Sequence, residues 1–158
     1  MKKNKSIYLF LITYCAAYIF LALEVINTKI DVDALKLKFN GDFKFYLAFI
    51  IISILTSLII LLLEYVIIKY FVAKSDKFED ETKLAIPLVL TDSLLIVFAL
   101  LSTFFTKNAI NVLPFINIIL GPIIFGFFLK DNLSDKQVKT AVIAKFILYL
   151  INIPFVLG

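Results

Sequence analysis

The sequence predicts an all-α fold: a polytopic membrane helix bundle of five transmembrane helices, with residues 1–158 forming a single integral membrane domain. Three observations predict it. Apolar residues make up 62% of the chain and charged ones only 18%, with a mean hydropathy of +1.02, whereas soluble domains are about 45–50% apolar. The apolar residues gather into blocks close to the ~20 residues that cross a bilayer as a helix. The charges gather between those blocks. A soluble fold of this length covers itself with charge, and this chain has too little to do so. Five spans of about 20 residues use up the apolar content, so no second, soluble domain is expected.

The first span is placed at 7–26, behind Lys2, Lys3 and Lys5. A cleaved signal would have a shorter apolar core ending in small residues. Here the run passes Ala16 and Ala17 and continues through Tyr18, Ile19 and Phe20, so it is read as a span. Tyr14 before Cys15 also puts a ring where a lipoprotein signal needs a small residue. Residues 27–44 alternate, with Ile30, Val32, Leu35, Leu37 and Phe39 among Asp31, Asp33, Lys36 and Lys38. That period of two, with Asn40-Gly41 as a hairpin signal, points to a small β-hairpin in the first external loop; an interfacial helix is the rival reading.

The second span, 45–72, exceeds what a ~30 Å hydrocarbon core requires and should tilt or protrude. The charged stretch KSDKFEDETK (74–83) connects it to a third span at 84–106, with Pro87 in the first turn, where its missing N–H does little harm. Lys107 and Asn108 leave room only for a tight turn before the fourth span, 109–129. That span carries Asn111, Pro114, Asn117, Gly121, Pro122 and Gly126, and a kink is expected there. Asn111, Pro114, Asn117, Gly121 and Pro122 are candidates for a helix break whose exposed carbonyls line a cavity; the alternative is a kink satisfied by neighbouring asparagines. The polar run KDNLSDKQVK (130–139) leads to the last span, 140–157.

If all five cross, eleven of the 16 lysines lie on the N-terminal side, and Lys29, Lys36, Lys38, Lys44 and Lys107 lie on the other. The positive-inside rule then puts the N-terminus in the cytoplasm of a multi-pass cell-membrane protein and the C-terminus outside. The net charge of +4 has the same origin. There is no arginine for bidentate phosphate recognition, so no nucleic-acid partner is expected. The expected partners are the lipid bilayer, other membrane subunits or a second copy of the chain.

With no His, one Cys (Cys15) and one Met, there is no ligand set for a soft metal, haem or iron–sulfur cluster, and neither metal nor cofactor is expected. The same absences remove His-based triads, Cys–His pairs and zinc hydrolysis, and four glycines form no phosphate-cradling loop. No catalytic residue is assigned.

Three residues are not explained by loops. A charge inside a span costs about 2.5–3.5 kcal/mol on insertion scales, yet Glu64, Asp92 and Lys145 all fall inside spans. Counted from the span ends at ~1.5 Å per residue, all three lie roughly 8–12 Å from the same face, which permits an intramembrane polar cluster. Each sits on a small or polar stripe at helical spacing: Ser53, Ser57 and Glu64; Asp92, Ala99, Thr103 and Thr106; Ala141, Lys145, Tyr149 and Asn152. Span one offers Thr13, Ala17 and Glu24. Such faces let membrane helices approach and hydrogen-bond. The structural reading pairs Lys145 with Asp92 or Glu64 to hold the bundle. The functional readings are a proton or cation site, as in a small solute or ion transporter or channel component, and an acid–base pair or a Ser93–Lys145 nucleophile.

From residue 45 to 157 the layout resembles the Yip family of five-span membrane proteins. The shared order is a long second span, a short polar connector, the IPLVLTDSLL entry with Pro87, the turn at Lys107 and Asn108, and the LSDKQVKTAVIAKFIL passage into a last span. The resemblance implies five spans and a non-catalytic role. The long cytoplasmic N-terminal region of eukaryotic members has no counterpart before residue 7, so Rab-type partner binding is not carried over. The expected role is that of a non-enzymatic accessory, assembly or immunity-type factor acting through helix and lipid contacts.

Overall fold

The computed structural model describes residues 2–29, 32, 36, 41–78, 80, 82–105 and 109–157. Five long helices account for most of them: α1 (Lys2–Lys29), α2 (Asp42–Ser75), α3 (Thr82–Phe105), α4 (Ala109–Leu129) and α5 (Asp135–Leu157). No strand occurs among the described residues.

The helices close into a ring. α1 packs on α2 and α3, α3 on α4, α4 on α5, and α5 returns to α2, while α2 and α3 also touch across the middle. Individual contacts set the direction of each helix. Phe10 and Leu21 of α1 meet Ser93 and Ala99 of α3 in parallel order. Lys145 and Gln137 of α5 meet Glu64 of α2 and Lys77 just beyond it in reversed order. Gly121 and Gly126 of α4 face Tyr149 and Val142 of α5, also reversed. So α1, α3 and α5 run one way and α2 and α4 the other, as short connectors between neighbouring helices require.

Two connectors meet at one end. Ser134 donates from Oγ to Asp76 Oδ2 at 3.4 Å, and Gln137 Nε2 donates to the Lys77 carbonyl at 3.0 Å. Ser134 and Gln137 also cap α5 reciprocally: the Gln137 N–H donates to Ser134 Oγ (3.4 Å) and the Ser134 N–H to Gln137 Oε1 (3.1 Å). This is the Ser-x-x-Gln capping box. It starts α5 at Asp135, five residues before the expected span, and shortens the connector to 130–134.

Beneath that end, Ile68, Val72, Leu84, Leu88, Phe125, Leu129 and Ala141 form the buried core. The outer surface is apolar as well. On α2, Ile51, Ile52, Leu55, Ile59, Leu62, Leu63 and Val66 are all exposed, while Ser53 and Ser57 are buried. Only 17% of its most apolar stretch is covered by the rest of the protein, whereas the core helix of a soluble protein is mostly buried. α2 and the Thr82–Thr103 part of α3 are long and apolar enough to cross a membrane; the apolar stretches Tyr8–Glu24 and Phe115–Leu129 are shorter.

Two local expectations are corrected. The first is the β-hairpin over 27–44. Residues 27–29, 32, 36 and 42–44 are helical, and Asn40 lies outside the described residues. Gly41 has φ 126° and ψ 158°, an extended positive-φ conformation open essentially to glycine alone and not the left-handed geometry of a type I′ turn. Its N–H donates to the Lys36 carbonyl at 3.3 Å, and its own carbonyl accepts from the Phe45 N–H at 3.2 Å, so it marks the start of α2. The second is Pro87. Because Asp80 Oδ1 accepts from the Thr82 N–H (3.1 Å) and Oγ1–H (2.7 Å), α3 starts at Thr82, and Pro87 lies past the first turn, inside the helix. There it leaves the Lys83 carbonyl without its i+4 donor.

The fourth helix runs without interruption from Ala109 to Leu129. Gly121 allows a close approach to α5, since a Cβ at 121 would meet the Tyr149 ring, with Cζ at 2.9 Å. Gly121→Ala should therefore cost about 1–3 kcal/mol through overpacking, and less than additively when Tyr149 is also shortened to Ala. Gln137→Ala should cost about 1–2 kcal/mol by removing the cap and the tie to Lys77. Thermal unfolding of the purified chain in detergent measures both.

Candidate functional site

In the middle of the ring, α2, α3 and α5 bring Glu64, Asp92 and Lys145 together. Lys145 Nζ lies 2.5 Å from Glu64 Oε1 and 2.5 Å from Asp92 Oδ1. The Lys145 side chain is 0% exposed, against 13% for Glu64 and 9% for Asp92. Three helices supply one residue each because the rise of a helix is constant: residues equally far from one end of antiparallel neighbours meet at the same level.

The surroundings complete the cage. The Tyr149 hydroxyl, one turn beyond Lys145 on α5, donates to Asp92 Oδ1 at 3.3 Å. Nζ lies 5.1 Å from the Tyr149 ring centroid and 5.4 Å from that of Phe125 on α4, within the range where the negative ring face attracts a cation. Asp92 Oδ2 is buried and has no hydrogen-bond partner among the described residues. The formal charges of the three side chains sum to −1.

A second polar layer ties α1 to the ring. Ser93, next to Asp92, donates to the Phe10 carbonyl at 3.1 Å. The Tyr14 hydroxyl donates to the Ser57 carbonyl at 3.4 Å. Ser57 Oγ donates to the Ile54 carbonyl at 2.9 Å and lies 3.7 Å from Cys15 Sγ. Ser93 is thus engaged with α1, and the structure gives no Ser93–Lys145 contact that would serve a nucleophile and base.

The small and polar stripes face mostly inward. Ser53, Ser57, Ala99, Ala141 and Ala17 are buried, Thr103 and Tyr149 are half-buried, and Thr13 and Glu24 are exposed. On α4, Gly121 and Pro122 are buried and Asn117 is half-buried, with its Oδ1 unpartnered among the described residues. The side chains of Asn111 and Pro114, and all of Asn108, lie outside the described residues. Among the described residues no group of three or more His, Cys, Asp or Glu could hold a metal ion.

No family model, curated protein or solved structure matches the chain.

Removing the cation from this cage should be the most damaging single change. Lys145→Met leaves two buried carboxylates facing each other and should cost about 3–5 kcal/mol, as breaking a buried ion pair does. Adding Glu64→Gln and Asp92→Asn removes the uncompensated charges and should restore most of that loss, read as the midpoint of thermal unfolding in detergent.

Proposed function

We propose that the chain is a non-enzymatic five-span membrane protein, N-terminus cytoplasmic and C-terminus outside, an accessory or assembly factor acting through its helix and lipid contacts. The observation that carries this reading is that Lys145 is wholly buried and already held by two carboxylates from other helices. A catalytic base or nucleophile must reach a substrate, and the Lys145 ammonium is enclosed and engaged by both carboxylates. The apolar exterior of α2 supports a lipid surround, and the contact between the connectors at Ser134 and Asp76 supports an even number of crossings between them. The Yip-like order of segments points the same way.

One observation favours a second reading, a small carrier of protons or cations. The formal charge of the cluster is uneven and Asp92 Oδ2 has no partner among the described residues, and ionisable residues inside a membrane commonly mark proton or ion pathways.

The readings separate by variants. For a structural cluster, Asp92→Asn or Glu64→Gln lowers accumulation in the membrane fraction, a Lys145→Asp/Asp92→Lys double variant regains part of it, and the wild-type chain in proteoliposomes moves no protons or alkali cations above empty vesicles. For a carrier, the same single variants accumulate normally and abolish flux.

The topology has its own test. In a Cys15→Ala background, cysteines at Ser75 and Ser134 should both react with an impermeant thiol reagent from the cytoplasmic side only. Labelling from opposite sides would make the fourth segment re-entrant.

A further inference from the structure

We propose that the cytoplasmic end of the bundle holds a binding site for one anionic phospholipid, between α3 and α4. This rests on the membrane reading above. Two cavities adjoin there, of about 390 Å3 and about 350 Å3, sharing Asp80, Lys83 and Asn132 as walls. The smaller is polar and adds Lys77, Ser134 and Gln137. The larger continues down the bundle, with Lys83, Ile86, Pro87 and Leu90 of α3 on one side and Phe128 of α4 on the other.

The spacing of those α3 residues, i, i+3, i+4 and i+7, puts them on one face. They form a slot about 10 Å long at 1.5 Å per residue, with an ammonium at its mouth and apolar side chains below. A phospholipid has the same order of chemistry, a phosphate above an acyl chain. Lys77 and Lys83 supply the positive charge for the phosphate, and among the described residues neither ammonium is held in an ion pair. Asp80 also lines both cavities, but its Oδ1 accepts from the Thr82 N–H and hydroxyl and so caps α3.

The test reconstitutes the full chain in bilayers of phosphatidylcholine and phosphatidylglycerol, releases it into detergent and counts retained lipid by native mass spectrometry. The expected result is one phosphatidylglycerol per chain, in preference to phosphatidylcholine. Lys77→Gln and Lys83→Gln should each lower retention about fivefold, the contribution of one lysine near an anionic surface. Lys130→Gln, whose ammonium sits 4.8 Å over the Phe127 ring, should leave it unchanged. Equal retention of both lipids, an equal loss in Lys130→Gln, or displacement of the lipid by inorganic phosphate would overturn the proposal. Failure of the membrane reading shows separately, as release of the wild-type chain from membranes by alkaline carbonate.

Discussion

A lysine ammonium enclosed by protein needs counter-charges, and Lys145 draws them from two other helices. Nζ sits 2.5 Å from oxygens of Glu64 and Asp92 and faces the rings of Phe125 and Tyr149. Four of the five helices are thereby brought to one point. On the proposed membrane reading, lipid outside leaves apolar side chains little to gain by turning inward, and polar contacts and close packing decide which helices become neighbours. The ring order follows this rule. The inward faces carry Ser57, Ser93, Asp92 and Lys145, and the outward face of α2 carries isoleucine and leucine.

The remaining contacts serve the same alignment. Gly121 lets the Tyr149 ring lie against α4, and that ring's hydroxyl reaches Asp92. The Ser134–Gln137 box fixes where α5 begins, and Gln137 joins that start to the connector after α2. The register of α5 against α2 is therefore held at two levels, at Lys77 and at Glu64, eight residues apart along α5. A slip of one residue would turn Lys145 by ~100° away from its partners.

Much of this was legible in the sequence because helical rise is invariant. Counting from the span ends places Glu64, Asp92 and Lys145 at one depth, and the structure brings them within one ammonium's reach. Of the aromatic partners only Tyr149, on the same stripe as Lys145, was legible. With 17 phenylalanines and seven tyrosines in the chain, Phe125 and Tyr14 carry no mark that separates rings facing the ring interior from rings facing out. Asn40-Gly41 misled because a glycine that permits a tight turn also permits the extended positive-φ conformation that opens a helix. Pro87 misled because the start of α3 depends on the Asp80 side chain rather than on where the apolar run begins. The Ser134-x-x-Gln137 pattern was readable, but the polar composition of 130–139 masks it as loop.

Lys145 joins α3 to the bundle through Asp92. A double-mutant cycle of Lys145→Met and Asp92→Asn, followed by unfolding of the purified chain in detergent, measures it most directly. The expected coupling energy is above about 1 kcal/mol, within the ~0.5–3 kcal/mol found for residues in one ionic network, with the double variant more stable than Lys145→Met alone. Strictly additive losses would contradict it.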